Sequence, residues 1–217
     1  MLEAVIFDLD GVITDSASYH YQAWKIIADE LKIDFDETYN EKLKGVSRMG
    51  SLELILDNGP GKDAFSQEEK ERLCTRKNDL YKELIKQITP SDLLPGIGEL
   101  LKELKANNVL IGLASVSLNA PAIINSLGIK DMFDYMADAA VVKESKPAPD
   151  IFLDNIKGLK VNPANSIGVE DAEVGIEAIH RAGMKACGIG SVETLSKADL
   201  LLSSTAELSL DKLKAML

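Results

Sequence analysis

The sequence predicts an α/β fold: a Rossmann-like, three-layer core on a parallel sheet, with an α-helical domain inserted after the first strand. Three observations carry the prediction. The apolar run Ala4-Val5-Ile6-Phe7 stands near the N-terminus and ends in acidic residues. From about residue 97 onward, helical stripes alternate with short apolar runs. Between these two regions, residues 15–88 keep helical periodicity throughout.

The elements follow in order. Ala4–Phe7 reads as a strand buried on both faces. Ala23, Trp24, Ile27, Ala28 and Leu31 recur at helical spacing. Ser66 with Glu69 forms a capping box, and Leu73, Leu80, Tyr81, Leu84, Ile85 and Ile88 make the next stripe. Leu100, Leu101 and Leu104 mark a helix before the strand-like run Val109–Ala114. A further helix opens at Asn119, with Pro121 in its first turn and Gly128 just past its end. Asp150–Ile156, Ser166–Val169, Ala172–Ala182, Met184–Gly188 and Asp199–Leu202 continue the alternation. Strands separated by helices of this length imply right-handed crossovers and a parallel sheet. The expected domains are therefore 1–14 with 90–217, and the helical insertion 15–89, linked near Thr14-Asp15 and Thr89-Pro90-Ser91.

Composition narrows the partners. The formal charge of −11 argues against general affinity for nucleic acid or an anionic membrane, so an anionic substrate needs a local cluster of Lys and Arg. Cys74 and Cys187 fit neither a metal spacing nor a disulfide framework. The N-terminal apolar run is short and ends at Asp8, so no signal peptide or spanning segment is expected. A cytoplasmic monomer is the simplest expectation.

The chemistry lies at predicted strand ends. Asp8 and Asp10 in Asp8-Leu9-Asp10-Gly11 follow the first strand, Ser115 follows Val109–Ala114, and Glu170-Asp171 follow Ser166–Val169. Lys146 stands in a loop restricted by Pro147 and Pro149. A parallel sheet opens all such ends on one side, so groups scattered in sequence converge. Singly, each has a plain reading: Asp-Gly as a turn, Glu170-Asp171 as acidic residues favoured at a helix N-terminus. A calcium loop counted from Asp8 fails, because its glycine falls on Ile13 and its glutamate on Tyr19. Together, the carboxylates supply oxygen ligands for Mg²⁺, and Lys146 and Ser115 meet the charge of a phosphoryl group. One carboxylate of the first pair can attack phosphorus while the other moves the proton. His20 and Lys77 are polar positions on the apolar stripes. Either alone reads as a stripe-edge residue reaching water; together they point to a polar cleft between the two domains.

With these residues in place, the chain resembles the haloacid dehalogenase superfamily over its whole length. The motifs are Phe7-Asp8-Leu9-Asp10-Gly11-Val12, Leu113-Ala114-Ser115, Lys146-Pro147 and Gly168-Val169-Glu170-Asp171. The resemblance implies Asp8 as nucleophile, Asp10 as general acid/base, and Mg²⁺ held by Asp8, the Asp10 carbonyl oxygen, Glu170 and Asp171. It also implies that the insertion is a helical cap.

Within the superfamily the chain is similar to the mutases that interconvert β-glucose 1-phosphate and glucose 6-phosphate through β-glucose 1,6-bisphosphate. The segments carrying this include Tyr19-His20, Ala23-Trp24, Leu43-Lys44-Gly45-Val46-Ser47-Arg48 and Arg76-Lys77-Asn78-Asp79. By this similarity Arg48, Ser117 and Asn119 hold the phosphate that is not being transferred, and Val116 belongs to the same phosphate-binding loop. His20 and Lys77 position Asp10 and the sugar, while Trp24, Lys44, Gly45, Val46, Ser47 and Ser51 line the hexose site. Where relatives often carry a lysine, this chain has Leu118, which leaves Arg48 as the main anchor. The alternative is a phosphatase acting on a small sugar or polyol phosphate with the same core. A non-catalytic sensor would lack the nucleophile or the metal ligands, and both are present.

Overall fold

The computed structural model describes residues 1–43, 46–140 and 142–217. It forms two compact units: Met1–Asp15 with Ile88–Leu217, and Ser16–Gln87. In chain order, β1 (Ala4–Phe7) leads into helices α1 (Ala17–Glu30), α2 (Glu37–Asn40), α3 (Arg48–Asp57) and α4 (Gln67–Leu84). Then follow α5 (Ile97–Ala106), β2 (Leu110–Leu113), α6 (Ala120–Ser126), β3 (Tyr135–Met136) and α7 (Asp150–Leu159). The chain continues with β4 (Ser166–Glu170), α8 (Glu173–Arg181), β5 (Lys185–Ile189), α9 (Val192–Leu195), β6 (Leu200–Leu202) and α10 (Leu210–Lys214).

The helical unit folds for local reasons that the sequence shows. Ser66 Oγ accepts from the Glu69 N–H at 3.3 Å while the Ser66 N–H donates to Glu69 Oε2 at 2.8 Å, closing the expected capping box at the start of α4. Asp36 and Ser47 cap α2 and α3 through the amides of Tyr39 and Gly50. Trp24, Ile27 and Ala28 of α1 and Leu52, Ile55 and Leu56 of α3 belong to one buried cluster, this unit's core. The region is not helical throughout, as periodicity implied. Residues 31–36 and 58–66 are turns and a short 3-10 segment, because Gly59-Pro60-Gly61 cannot continue a helix.

In the other unit the strands form one parallel sheet of order β3-β2-β1-β4-β5-β6, as the alternation predicts. β1 is central, and its side chains alternate between the two faces. Ala4 and Ile6 pack with Phe152, Ile176 and Ile179 of α7 and α8. Val5 and Phe7 are buried as well, without measurable exposure. Beyond the expected elements the structure adds β3, α9 and α10. Each is five residues or shorter, too few for a period to register. β3 gains its order from pairing with β2, Gly112 opposite Tyr135 and Leu113 opposite Met136.

Topology sets the site. From β1 the chain builds outward through β2 to β3, then crosses back by α7 to β4 on the other flank of β1. The reversal falls between β1 and β4, where open parallel sheets hold their ligands beyond the carboxyl ends of the strands. Register levels those ends: Phe7 lies opposite both Leu113 and Val169. Among the described residues, no helix is long and apolar enough to cross a membrane.

Candidate active site

Asp8 follows β1 directly, and its N–H donates to Val169 O at 2.9 Å, so the backbone leaves the sheet against β4. The chain then turns tightly. Leu9 O accepts from the N–H groups of both Ile13 and Thr14, and the Gly11 N–H donates to Thr14 O. Gly11 has φ +74°, and a Cβ there would lie 2.6 Å from Asp171 Cγ and closer still to Oδ2. Only glycine satisfies both the turn and that approach. Asp10 sits within this loop, partly exposed.

Glu170 ends β4 with its side chain 2% exposed, and its Oε1 accepts from the Ala172 N–H at 3.3 Å. α8 packs so closely that a side chain at Gly175 would overlap the Glu170 carboxylate. Asp8, Glu170 and Asp171 each bring a carboxylate oxygen to within 4.8 Å of the others. Sequence reasoning named all three.

Lys146 arrives from the connection between β3 and α7, the segment that makes the topological reversal, with a cis peptide bond to Pro147. Its ammonium lies between the acids, bonded to Asp8 Oδ1 and 2.7 Å from Glu170 Oε2. The Phe152 ring, unmarked by the sequence, lies 5.2 Å from that ammonium and gives it a π face. A helical phenylalanine carries no signal that a lysine distant in the chain will settle on it.

Charge and burial compete here. Burial pushes the Glu170 carboxyl up, Asp8 and Asp171 push it further, and Lys146 opposes them; the result is about 8. Burial would release the Lys146 proton, but Asp8 and Glu170 outweigh it and raise the group above its ordinary value. The site is thus a buried cluster of carboxylates neutralised in part by one lysine. An all-oxygen acidic set of this kind suits a hard divalent cation.

Ser115 follows β2 and is buried, with the Ala114 N–H donating to Phe7 O just before it. Its Oγ accepts from the Ser117 N–H at 3.2 Å, and Ser117 Oγ accepts from the Asn119 N–H at 3.3 Å. These two bonds wind residues 115–119 into a compact loop at the N-terminus of α6. Asn119 is buried, whereas Val116 and Leu118 are 40% and 60% exposed. A branched and a long apolar side chain thus stand in solvent on the phosphate-binding loop that the sequence proposed.

In the helical unit the structure brings together His20, Trp24 and Lys77. Lys77 is 2% exposed, with its Nζ 2.5 Å from His20 Nδ1 and 5.0 Å from the Trp24 ring centroid. Lys77 therefore does not reach water as a stripe-edge residue would, whereas His20 stays half-buried. Burial lowers the His20 pKa well below its ordinary value, helped by the charges of Lys77 and Arg48, so its ring is neutral and able to accept. Tyr81, expected only as an apolar position, stacks on His20 at 4.0 Å. Val46 is exposed, Ser47 caps α3, Arg48 opens that helix partly buried, and Ser51 is buried with its N–H donating to Ser47 O. Lys44 and Gly45 lie outside the described residues.

The chain belongs to the haloacid dehalogenase-like hydrolases, whose family model matches residues 2–183. Its similarity runs further within that family. It is 50% identical over 212 residues to the β-phosphoglucomutase of Bacillus subtilis, covering 98% of this chain and 94% of that one. A crystal structure of β-phosphoglucomutase from Clostridium difficile superposes with a TM-score of 0.95 at 52% identity, covering 100% of this chain and 97% of that one. A phosphorylated-carbohydrates phosphatase of Thermotoga maritima is 28% identical, covering 94% of this chain and 92% of that relative.

Proposed function

We propose that this chain is an isomerase that interconverts β-D-glucose 1-phosphate and D-glucose 6-phosphate through an aspartyl-phosphate enzyme and β-glucose 1,6-bisphosphate. The observation that carries the reading is the 50% identity to a β-phosphoglucomutase over 98% of the chain. That span includes the helical unit, where a mutase and a phosphatase sharing one core must differ.

The carboxylate set Asp8, Glu170 and Asp171 fits Mg²⁺, and the Asp10 carbonyl oxygen completes the proposed protein ligands. When bound, the ion would neutralise charge on the phosphoryl oxygens and allow a carboxylate to approach them. Asp8 attacks phosphorus and takes the phosphoryl group as Asp10 protonates the departing oxygen. In the return step the sugar hydroxyl attacks the aspartyl phosphate, Asp10 takes the hydroxyl proton, and Asp8 is restored. Lys146 and Ser115 bind the phosphoryl oxygens in both directions. Arg48, Ser117 and Asn119, with Val116 in the same loop, hold the other phosphate. His20 and Lys77 position Asp10 and the sugar, and Trp24, Lys44, Gly45, Val46, Ser47 and Ser51 serve the hexose.

A coupled assay tests this directly. Purified protein is given β-glucose 1-phosphate, Mg²⁺ and a trace of the bisphosphate. Formation of glucose 6-phosphate is the expected result. Free phosphate without glucose 6-phosphate would overturn the mutase reading in favour of a sugar-phosphate phosphatase.

A further inference from the structure

Tyr81 lies on α4 one helical turn beyond Lys77, and it touches more of the helical unit's polar cluster than an apolar stripe position requires. It is 1% exposed, its ring is stacked on His20 at 4.0 Å with the planes 23° apart, and its hydroxyl is 3.0 Å from Ser16 Oγ. Lys77 Nζ sits 4.8 Å from the same ring. Tyr81 therefore contacts both members of the His20–Lys77 pair, while its hydroxyl ties the ring to the residue that begins the unit. We propose that Tyr81 is a positioning residue: its stacked ring holds the His20 imidazole in the orientation that presents Nδ1 to Lys77 Nζ.

The physical argument is steric and electronic. An imidazole stacked nearly parallel on a buried ring cannot turn about its outer bond without losing that face. Lys77 has only protons to offer, so Nδ1 must be the bare nitrogen and Nε2 must carry the hydrogen. The ammonium gains a second attraction from the Tyr81 π face. One tyrosine thus fixes the direction of a buried cation and the tautomer of its neighbour. Tyr81 acts through those two groups rather than on substrate. The inference deepens the mutase reading, on which only its catalytic arm rests.

The chain has two histidines, so a His180→Gln background leaves His20 as the single ring to observe. Long-range ¹H–¹⁵N spectra of that protein, with Tyr81→Phe and Tyr81→Leu added separately, read the tautomer. The wild-type Tyr81 and the Phe variant are expected to show one Nε2–H form, and the Leu variant a mixture. The Leu variant should also lose on the order of tenfold to a hundredfold in kcat/KM for β-glucose 1-phosphate, with the Phe variant retaining most of it. A Leu variant with one Nε2–H tautomer and undiminished kcat/KM overturns the proposal. So does an Nδ1–H ring with Tyr81 intact, a result that stands even if the Leu variant fails to fold. Absence of glucose 6-phosphate from the unmodified protein would count against the mutase reading alone, because the spectra judge Tyr81 without turnover.

Discussion

Replacing Gly11 by alanine tests the link between backbone and site most sharply. The residue adopts φ +74°, where an L side chain costs roughly 1–2 kcal/mol. The added methyl would meet Asp171 Cγ at 2.6 Å, whereas unstrained carbon contacts lie at about 3.5–4.0 Å. The Asp171 carboxylate must therefore retreat by about 1 Å, or the Asp8–Gly11 turn must open by as much. A displacement of that size at a reacting centre costs up to about a hundredfold in rate. At a metal ligand it weakens binding by roughly tenfold to a hundredfold. The backbone strain alone lowers the melting temperature by about 2–8 °C in a chain of this length. The assay is glucose 6-phosphate formation titrated with Mg²⁺, alongside thermal melts with and without the ion. A raised Mg²⁺ requirement and a smaller Mg²⁺-induced stabilisation are expected. An alanine variant with wild-type Mg²⁺ dependence would refute the claim that this glycine exists to seat Asp171.

Four further outcomes follow from the structure. Asp8→Asn should form no phosphoenzyme and show no turnover, read by intact-mass spectrometry after acetyl phosphate; retained mutase activity would sink the nucleophile assignment. Lys146→Met removes the cation between Asp8 and Glu170, so phosphoenzyme formation should fall by about 10²–10³-fold, measured by rapid quench. Asp199 offers a pH test away from the site. Burial pushes its carboxyl up, yet bonds from the Ala186 N–H, Lys185 and His180 outweigh it and hold it at about 2, below its ordinary 3.8. Its contribution is therefore full above about pH 3.8 and lost as pH falls towards 2. Asp199→Asn should lose on the order of 1 kcal/mol at pH 7 after solvent screening, the gap from wild type closing near pH 2 in urea melts. Ser66→Ala, which breaks the α4 capping box, should cost about 1 kcal/mol by the same measurement.

Much of the core was legible in the primary structure, because its signals are local or periodic. The run Ala4–Phe7 predicts β1, and the later alternation predicts β2, β4, β5 and β6 in a parallel sheet. The Ser66–Glu69 box is a four-residue pattern that needs no tertiary partner. The motif residues Asp8, Lys146, Glu170 and Asp171 could be named for the same reason, since strand ends in such a sheet share one edge. What escaped was short or non-periodic: β3, α9, α10, and the turns at 31–36 and 58–66.

The sequence by itself determined the α/β class, the helical insertion and the residue types at the strand ends, because hydrophobic period and turn chemistry are written locally. Only the tertiary structure decided that Lys146 lies between Asp8 and Glu170. Only it decided that Gly11 and Gly175 clear space for Asp171 and Glu170, and that Tyr81 stacks on His20. These are meetings of residues far apart in the chain, 138 positions for Asp8 and Lys146 and further still for Gly11 and Asp171. No local pattern encodes them, because a side chain's neighbours across a fold are chosen by how whole elements pack.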